Sequence, residues 1–125
     1  MGRLVGTVLV IDDDEIVRFL TKDLIEETGL AEQIVEISGG MEGLQYLIDH
    51  CQDCVDCPEV VFLDIRMPGI DGFEFLDIKN TLPNIPCKII MISSSDRQDD
   101  IQKALNLGAA DYIVKPLTEE KFKDK

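Results

Sequence analysis

The sequence predicts an α/β fold: a doubly wound parallel sheet of five strands with helices on both faces. The first observation is alternation, because each of five strand-like segments is followed by a segment with helical spacing of apolar residues. The second is that EVVFLD (59–64) and KIIMIS (88–93) are apolar without alternation, which indicates burial on both faces of a sheet. The third is size, since 125 residues suffice for a single core, and we expect one domain over residues 1–125.

The first half of the chain contains three predicted strands, at 7–12, 33–38 and 59–64. A helix is expected over 14–28, ending at Gly29. Its apolar face is predicted from four-residue spacing and consists of Ile16, Leu20 and Leu24, with Phe19 beside them. A second helix is expected after Gly39 and Gly40, with apolar positions at Met41, Leu44, Leu47 and Ile48.

The second half continues the same alternation, with strands predicted at 88–93 and 111–115. We expect Asp71 to cap a third helix that carries Phe73 and Leu76. The pair Ser95 and Asp96 is predicted to cap a fourth helix, which ends near Gly108. A fifth helix would begin after Pro116, and it looks cut short because the chain ends within about two turns.

Composition limits the function classes. The chain carries 25 acidic and 12 basic residues, a net charge of −13, so direct binding to nucleic acid is not expected. No apolar run approaches the ~18 residues that a membrane-spanning helix needs. The N-terminus lacks the layout of a signal peptide, and we therefore expect a cytoplasmic protein.

Three cysteines cluster in HCQDCVDC (50–57), and Cys87 lies farther along the chain. Without a secretory signal, a disulfide scaffold is not expected. A zinc or iron–sulfur site formed by Cys51, Cys54 and Cys57 is conceivable, but a closed site usually needs a second pair of ligands. We therefore favour a surface loop with reduced thiols and leave the metal alternative open.

Charged and hydroxyl side chains follow the predicted strands at their carboxyl ends, where ligands bind in open α/β sheets. Asp12 and Asp13 follow the first strand, Asp64 ends the third, Ser93 ends the fourth and Lys115 ends the fifth. Clustered carboxylates repel one another, and a divalent cation such as Mg²⁺ would remove that conflict. A fixed carboxylate such as Asp64 can then act as a nucleophile toward phosphorus.

The chain contains four segments in this order: VLVIDDDE, VFLDIRMPGIDG, IIMISS and YIVKP. Because of these segments, the whole chain resembles a response regulator receiver domain of two-component signalling, similar to the chemotaxis regulators. The resemblance implies a flavodoxin-like sheet with strand order 2-1-3-4-5. It also implies that Asp64 is phosphorylated and that Mg²⁺ is bound by Asp13, Asp64 and the backbone carbonyl of Arg66, with Asp12 acting on the ion largely through water.

The resemblance assigns three further roles. Ser93 would be the switch hydroxyl, Lys115 the phosphate-binding lysine, and Tyr112 the switch aromatic. Taken from the sequence alone, a half-buried core aromatic is the favoured interpretation of Tyr112.

The implied function is a phosphorylation-dependent signalling switch that is no enzyme beyond its own phosphorylation and dephosphorylation. Its partners would be a histidine kinase or phosphotransfer protein, an output domain or target protein, and a second copy in a phosphorylation-dependent homodimer. The alternative is a receiver-like docking module that is never phosphorylated. A haloacid dehalogenase-type phosphatase needs D-x-D, but Arg66 occupies the second acidic position. A flavodoxin-like redox carrier needs a neutral phosphate loop, whereas four acids follow the first strand.

Overall fold

A computed structural model describes residues 5–29, 31–51, 57–82 and 87–115. These residues form a five-stranded parallel sheet with the order β2-β1-β3-β4-β5, which confirms the predicted fold and strand order. The strands are β1 Val5–Ile11, β2 Ala31–Ile37, β3 Val60–Asp64, β4 Lys88–Ser93 and β5 Asp111–Val114. The helices are α1 Glu15–Thr28, α2 Gly40–Cys51, α3 Gly72–Thr81 and α4 Gln98–Asn106. The expected fifth helix lies outside the described residues.

The register of the sheet brings the carboxyl ends of the strands to one edge. Ile11 of β1 pairs with Leu63 of β3, so Asp12 and Asp64 both follow directly from paired positions. Asp64 in turn pairs with Ile92, and Ser93 pairs with Val114. The residues that follow these pairs therefore share one end of the molecule.

Each face of the sheet has its own apolar core. On one face, buried residues of β1, β3 and β4, such as Leu63, pack against α2, α3 and α4, for example against Leu47 and Phe75. The alternate strand residues, such as Phe62, form a second cluster with Ile25 of α1. Helices thus cover both faces, as predicted.

The predicted apolar face of α1 was wrong for three of its four residues, since only Leu24 is even half-buried. Ile16 is 69% exposed and Phe19 64% exposed, and Leu20 is exposed as well. The buried residues of α1 are Thr21 and Ile25. Thr21 can be buried because its hydroxyl donates a hydrogen bond to the Val17 carbonyl at 2.7 Å. Helix α1 is therefore rotated so that Thr21 and Ile25 are buried in place of Ile16, Phe19 and Leu20.

Two smaller expectations also need correction. Met41 is exposed, whereas Leu44 and Leu47 of α2 are buried as predicted. Helix α4 begins at Gln98 with Arg97 as its N-cap, and no side chain caps it, so Ser95 and Asp96 do not play that role. Ser95 instead accepts a hydrogen bond from the Arg97 amide at 3.3 Å.

Other helix ends follow the sequence. The side chain of Asp71 caps α3 and forms a capping box with Glu74. Gly29 ends α1 in the left-handed region, with φ of 65°, where a side chain would be strained. Among the described residues, no helix has the length and hydropathy to cross a membrane.

The cysteine loop differs from the expectation of reduced thiols. Cys51 and Cys57 form a disulfide. Cys51 is the buried last residue of α2, and the chain returns to the same apolar cluster at Cys57, which brings their Cα atoms to 4.3 Å. In the disulfide form neither sulfur is a thiolate, so neither is available as a metal ligand. Cys54 lies outside the described residues, and Cys87 is a free, buried thiol.

Candidate functional site at the carboxyl edge of the sheet

Three carboxylates meet at the carboxyl edge. One oxygen from each of Asp12, Asp13 and Asp64 can be chosen so that all lie within 4.8 Å of one another. Asp12 and Asp64 are buried, whereas Asp13 is exposed to solvent. An all-oxygen group with one face open to water suits a hard cation such as Mg²⁺, which retains several waters.

The backbone around Asp12 is held by several hydrogen bonds. Its amide donates to the Ile37 carbonyl at 3.1 Å, which extends the β1–β2 pairing by one residue. Its carboxylate accepts a hydrogen bond from the Asp14 amide at 2.9 Å. Asp14 is the N-cap of α1 and accepts from the amides of Ile16 and Val17. Asp12 and Asp13 therefore lie in a tight turn between β1 and α1.

Lys115 bridges the two buried carboxylates. Its Nζ lies 3.2 Å from Oδ1 of Asp64 and 3.3 Å from Oδ2 of Asp12. Its amide donates to the Ser93 carbonyl at 2.7 Å, which extends β5 along β4 and directs the lysine to the site. One ammonium group thus offsets part of the negative charge of two acids.

Burial and neighbouring charges shift the pKa values of Asp64, Asp12 and Lys115. The pKa of Asp64 is raised from 3.8 to about 6, mainly because burial disfavours its charged form and next because the Asp12 carboxylate repels it. Burial likewise raises the pKa of Asp12. Burial acts to lower the pKa of Lys115, but the Asp64 and Asp12 carboxylates outweigh it and raise that pKa above its usual value. A bound cation would stabilise the ionised form of both acids.

Ser93 and Tyr112 are linked through Ser95, which the sequence reasoning did not identify as a site residue. The buried Ser93 hydroxyl accepts a hydrogen bond from the Ser95 amide at 3.1 Å. The Tyr112 hydroxyl donates to the Ser95 carbonyl at 2.9 Å, and the ring is only 9% exposed. The Ser95 hydroxyl donates to Asp100 of α4 at 2.6 Å. The sequence feature that could have indicated this connection is the run of three serines at 93–95.

The loop after β3 packs tightly beneath the site. The Gly72 amide donates to the Ile65 carbonyl at 2.7 Å. A Cβ on Gly72 would lie 2.7 Å from the Asp64 carbonyl oxygen and 2.8 Å from the Ile65 Cα, so only glycine fits against this backbone. The Arg66 side chain is exposed, and the role of its carbonyl as a metal ligand stays a prediction.

Arg18 is the second contact that the sequence reasoning missed. Its Nη1 donates a hydrogen bond to the main-chain carbonyl of Asp12 at 2.7 Å. An arginine in the first turns of an amphipathic helix is usually a surface residue, and nothing in the sequence distinguishes Arg18 from such a residue.

Comparison with known proteins identifies the family to which the chain belongs. The family model for the response regulator receiver domain matches residues 8–125. The chain belongs to this family. Receiver domains act in two-component phospho-signalling, and the carboxyl-edge acidic group is therefore a candidate metal site in such a domain.

Similar receiver-containing proteins include the chemotaxis protein CheY of Bacillus subtilis, 32% identical over 110 residues, which cover 87% of this chain and 84% of that protein. A protein-glutamate methylesterase/protein-glutamine glutaminase of Myxococcus xanthus is 36% identical over 110 residues, which cover 88% of this chain. The match to this chain covers only 30% of that relative and 50% of the nitrate/nitrite response regulator NarL of Escherichia coli, so the chain spans half or less of the length of these relatives.

Solved structures agree with the fold. A two-component response regulator from Cytophaga hutchinsonii has a TM-score of 0.88 at 30% identity, covering 98% of this chain and 94% of that one. The receiver domain of NarL from Mycobacterium tuberculosis has a TM-score of 0.81 at 26% identity, covering 98% of this chain and 93% of that one.

Proposed function

We propose that the chain is a phosphorylation-dependent signalling switch in which Asp64 accepts a phosphoryl group from a phosphohistidine. The donor would be a histidine kinase or a phosphotransfer protein. The observation that carries this proposal is the position of Asp64: a buried carboxylate at the end of the central strand β3, beside two other acids and within 3.2 Å of the Lys115 ammonium.

The proposed step exchanges one bond to phosphorus for another. An oxygen of the ionised Asp64 carboxylate attacks phosphorus, an O–P bond forms, and the P–N bond to the donor histidine breaks. The electron pair of that bond stays on the imidazole nitrogen, which takes up a proton. Lys115 supplies a fixed positive charge beside the Asp64 carboxylate, where the transferred phosphoryl group brings further negative charge.

Asp12, Asp13 and Asp64 are the side chains that would hold Mg²⁺, with the Arg66 carbonyl as a further proposed ligand. When bound, Mg²⁺ supplies positive charge that neutralises the carboxylates and the phosphoryl oxygens. The three side chains fit this ion because all offer oxygen and one of them faces water.

Ser93 and Tyr112 would form the switch. After transfer, the Ser93 hydroxyl would donate a hydrogen bond to a phosphoryl oxygen. Because Ser95 contacts both Ser93 and Tyr112, movement of Ser93 would alter the surroundings of the aromatic ring and of α4.

The wider assignments belong to the same proposal. The chain acts as one receiver unit over 1–125 and catalyses no reaction beyond its own phosphorylation and dephosphorylation. It works with an output domain or target protein and forms a homodimer when phosphorylated.

We further propose a cytoplasmic location. Because disulfides are rare in that reducing compartment, Cys51 and Cys57 should be reduced in cells. Alkylation of intact cells before lysis, followed by mass spectrometry, tests this; an unalkylated, disulfide-bonded pair would contradict a cytoplasmic location.

Phosphorylation of the intact protein by a small-molecule phosphodonor tests the central proposal. With Mg²⁺ and phosphoramidate, the mass should rise by one phosphoryl group, and Asp64→Asn should abolish the gain. Asp77→Asn, on the exposed side of α3, is the matched control and should be phosphorylated normally. A wild-type protein that folds and binds Mg²⁺ but never gains phosphate would instead support the docking-module alternative.

A further inference from the structure

Arg18 contacts the link between the two acids of the predicted metal site. Its Nη1 donates to the Asp12 carbonyl at 2.7 Å, and that carbonyl belongs to the peptide that joins Asp12 to Asp13. The side chain is largely buried, with 16% of its surface exposed. The guanidinium group therefore contacts the backbone of the site without being a ligand itself.

Glu36 of β2 holds Arg18 from the other side. Its Oε1 lies 3.7 Å from Nε of Arg18, and its Oε2 lies 3.8 Å from Nζ of Lys22, one turn later on α1. Glu36 pairs with Val10 in the sheet, two residues before Asp12. A planar guanidinium presents its donors in a fixed fork, so one edge of Arg18 can bond the Asp12 carbonyl while its Nε remains in an ion pair with the Glu36 side chain of β2.

The same turn is fixed at two other points. The Asp12 amide is bonded to the Ile37 carbonyl, and the Asp12 carboxylate is bonded to the Asp14 amide. The contact from Arg18 constrains the remaining polar atom of the Asp12 main chain, its carbonyl oxygen. With that oxygen held, the peptide plane is set, and so are the directions in which the Asp12 and Asp13 side chains leave the backbone.

We propose that Arg18 is a positioning residue that orients the Asp12–Asp13 peptide so that both carboxylates converge with Asp64 on a divalent cation. The inference rests on the proposed function, because the ion in question is the Mg²⁺ of that function. Contacts of this kind, made to the groups that bear metal ligands, change metal affinity when they are removed.

Positioning and simple charge predict opposite results for loss of Arg18. If Arg18 acted only through its positive charge, its removal would relieve repulsion of Mg²⁺ and tighten binding. If it orients the ligands, its removal loosens the turn and weakens binding despite the lost charge. The sign of the change in the Mg²⁺ dissociation constant therefore separates the two roles.

The experiment compares three variants by calorimetric titration with Mg²⁺, at a temperature where each is folded. Arg18→Met should raise the dissociation constant about tenfold, the lower end of the range for such supporting contacts. Arg18→Lys keeps the charge with a single donor centre and should fall between Arg18→Met and wild type. Lys22→Met is the matched control: it removes the same charge from the same Glu36 partner without a contact to Asp12, and should bind like wild type.

A second measurement needs no metal. The Asp14 amide donates to the Asp12 carboxylate, so its hydrogen exchange in the metal-free protein reports the order of the turn. Exchange should be faster in Arg18→Met and unchanged in Lys22→Met. Tighter or unchanged Mg²⁺ binding in Arg18→Met overturns the inference, as does unchanged exchange. A wild type that ignores Mg²⁺ overturns the proposed function, while the exchange result still decides the role of Arg18.

Discussion

At the scale of single residues, the site is defined by buried charge that is only partly balanced. The Lys115 ammonium lies within 3.3 Å of both Asp12 and Asp64. Even so, burial keeps the pKa of Asp64 at about 6. With this raised pKa, protons compete with a cation for the carboxylate that must attack phosphorus, so metal binding and ionisation of the nucleophile are linked.

This linkage makes Mg²⁺ binding release protons. Below pH 6 the metal must displace the proton of Asp64, so the Mg²⁺ dissociation constant should increase up to about tenfold for each unit that the pH falls. Calorimetric titrations at several pH values, in buffers with different ionisation enthalpies, measure both the affinity and the protons released. In Asp64→Asn the residual affinity should lose the part of this dependence that Asp64 contributes; a wild-type affinity that is flat from pH 5 to about 7 would contradict the prediction.

The residues of the site divide into those that sequence reasoning can find and those that it cannot. Asp64, Ser93 and Lys115 were located because each ends or follows a strand, and the ends of parallel strands share an edge. The contact from Arg18 depends on how α1 is rotated about its axis. The apolar pattern predicted the wrong rotation of α1 about its axis. The contact between Arg18 and the Asp12 carbonyl could therefore not be predicted from the sequence.

At the scale of elements, the connection from α2 to β3 is covalently closed. The Cys51–Cys57 disulfide joins the buried end of α2 to the residues that lead into β3. It lies at the amino end of β3, opposite Asp64. Spacing alone could not choose among reduced thiols, a metal site and this bond, because the choice depends on the buried position of Cys51 in the apolar cluster.

Opening this seven-residue loop should destabilise the fold without changing the site. Loop-closure entropy suggests a loss of about 2 kcal/mol in the free energy of unfolding when the bond is reduced. Urea unfolding with and without a phosphine reductant measures it, with Cys54→Ala in every sample to prevent exchange. Cys57→Ala leaves the sulfur of Cys51 in the core and should match the reduced protein under both conditions. Equal stability of the oxidised and reduced forms would show that the bond adds nothing.

At the scale of the whole molecule, the site reduces the stability of the metal-free fold. The net charge is −13, and three of the acids converge at one edge of the sheet. A carboxyl group whose pKa is raised on folding contributes stability only while it is protonated. As the pH rises from about 4 to beyond 6, that contribution of Asp64 is lost.

Asp64→Asn should therefore stabilise the metal-free protein at neutral pH. A pKa raised from 3.8 to about 6 corresponds to about 3 kcal/mol. The difference in unfolding free energy between Asp64→Asn and wild type should grow by about that amount between pH 4 and about 7.5. Urea denaturation in a chelator measures this, with Asp77→Asn as the surface control. Saturating Mg²⁺ should shrink the difference, since it stabilises only the wild-type carboxylate; a difference independent of pH would refute the argument.

The junction at Ser95 has a practical consequence for mutational scanning. Ser95 connects β4, α4 and β5, but two of its four hydrogen bonds, to Ser93 and Tyr112, use main-chain atoms. Replacement by alanine removes only the two hydroxyl contacts, to Asp100 and to the Arg97 amide. A conventional scan would therefore rank this position as nearly silent although it joins three elements, and amide-to-ester replacement of its backbone would be needed to reveal what it transmits.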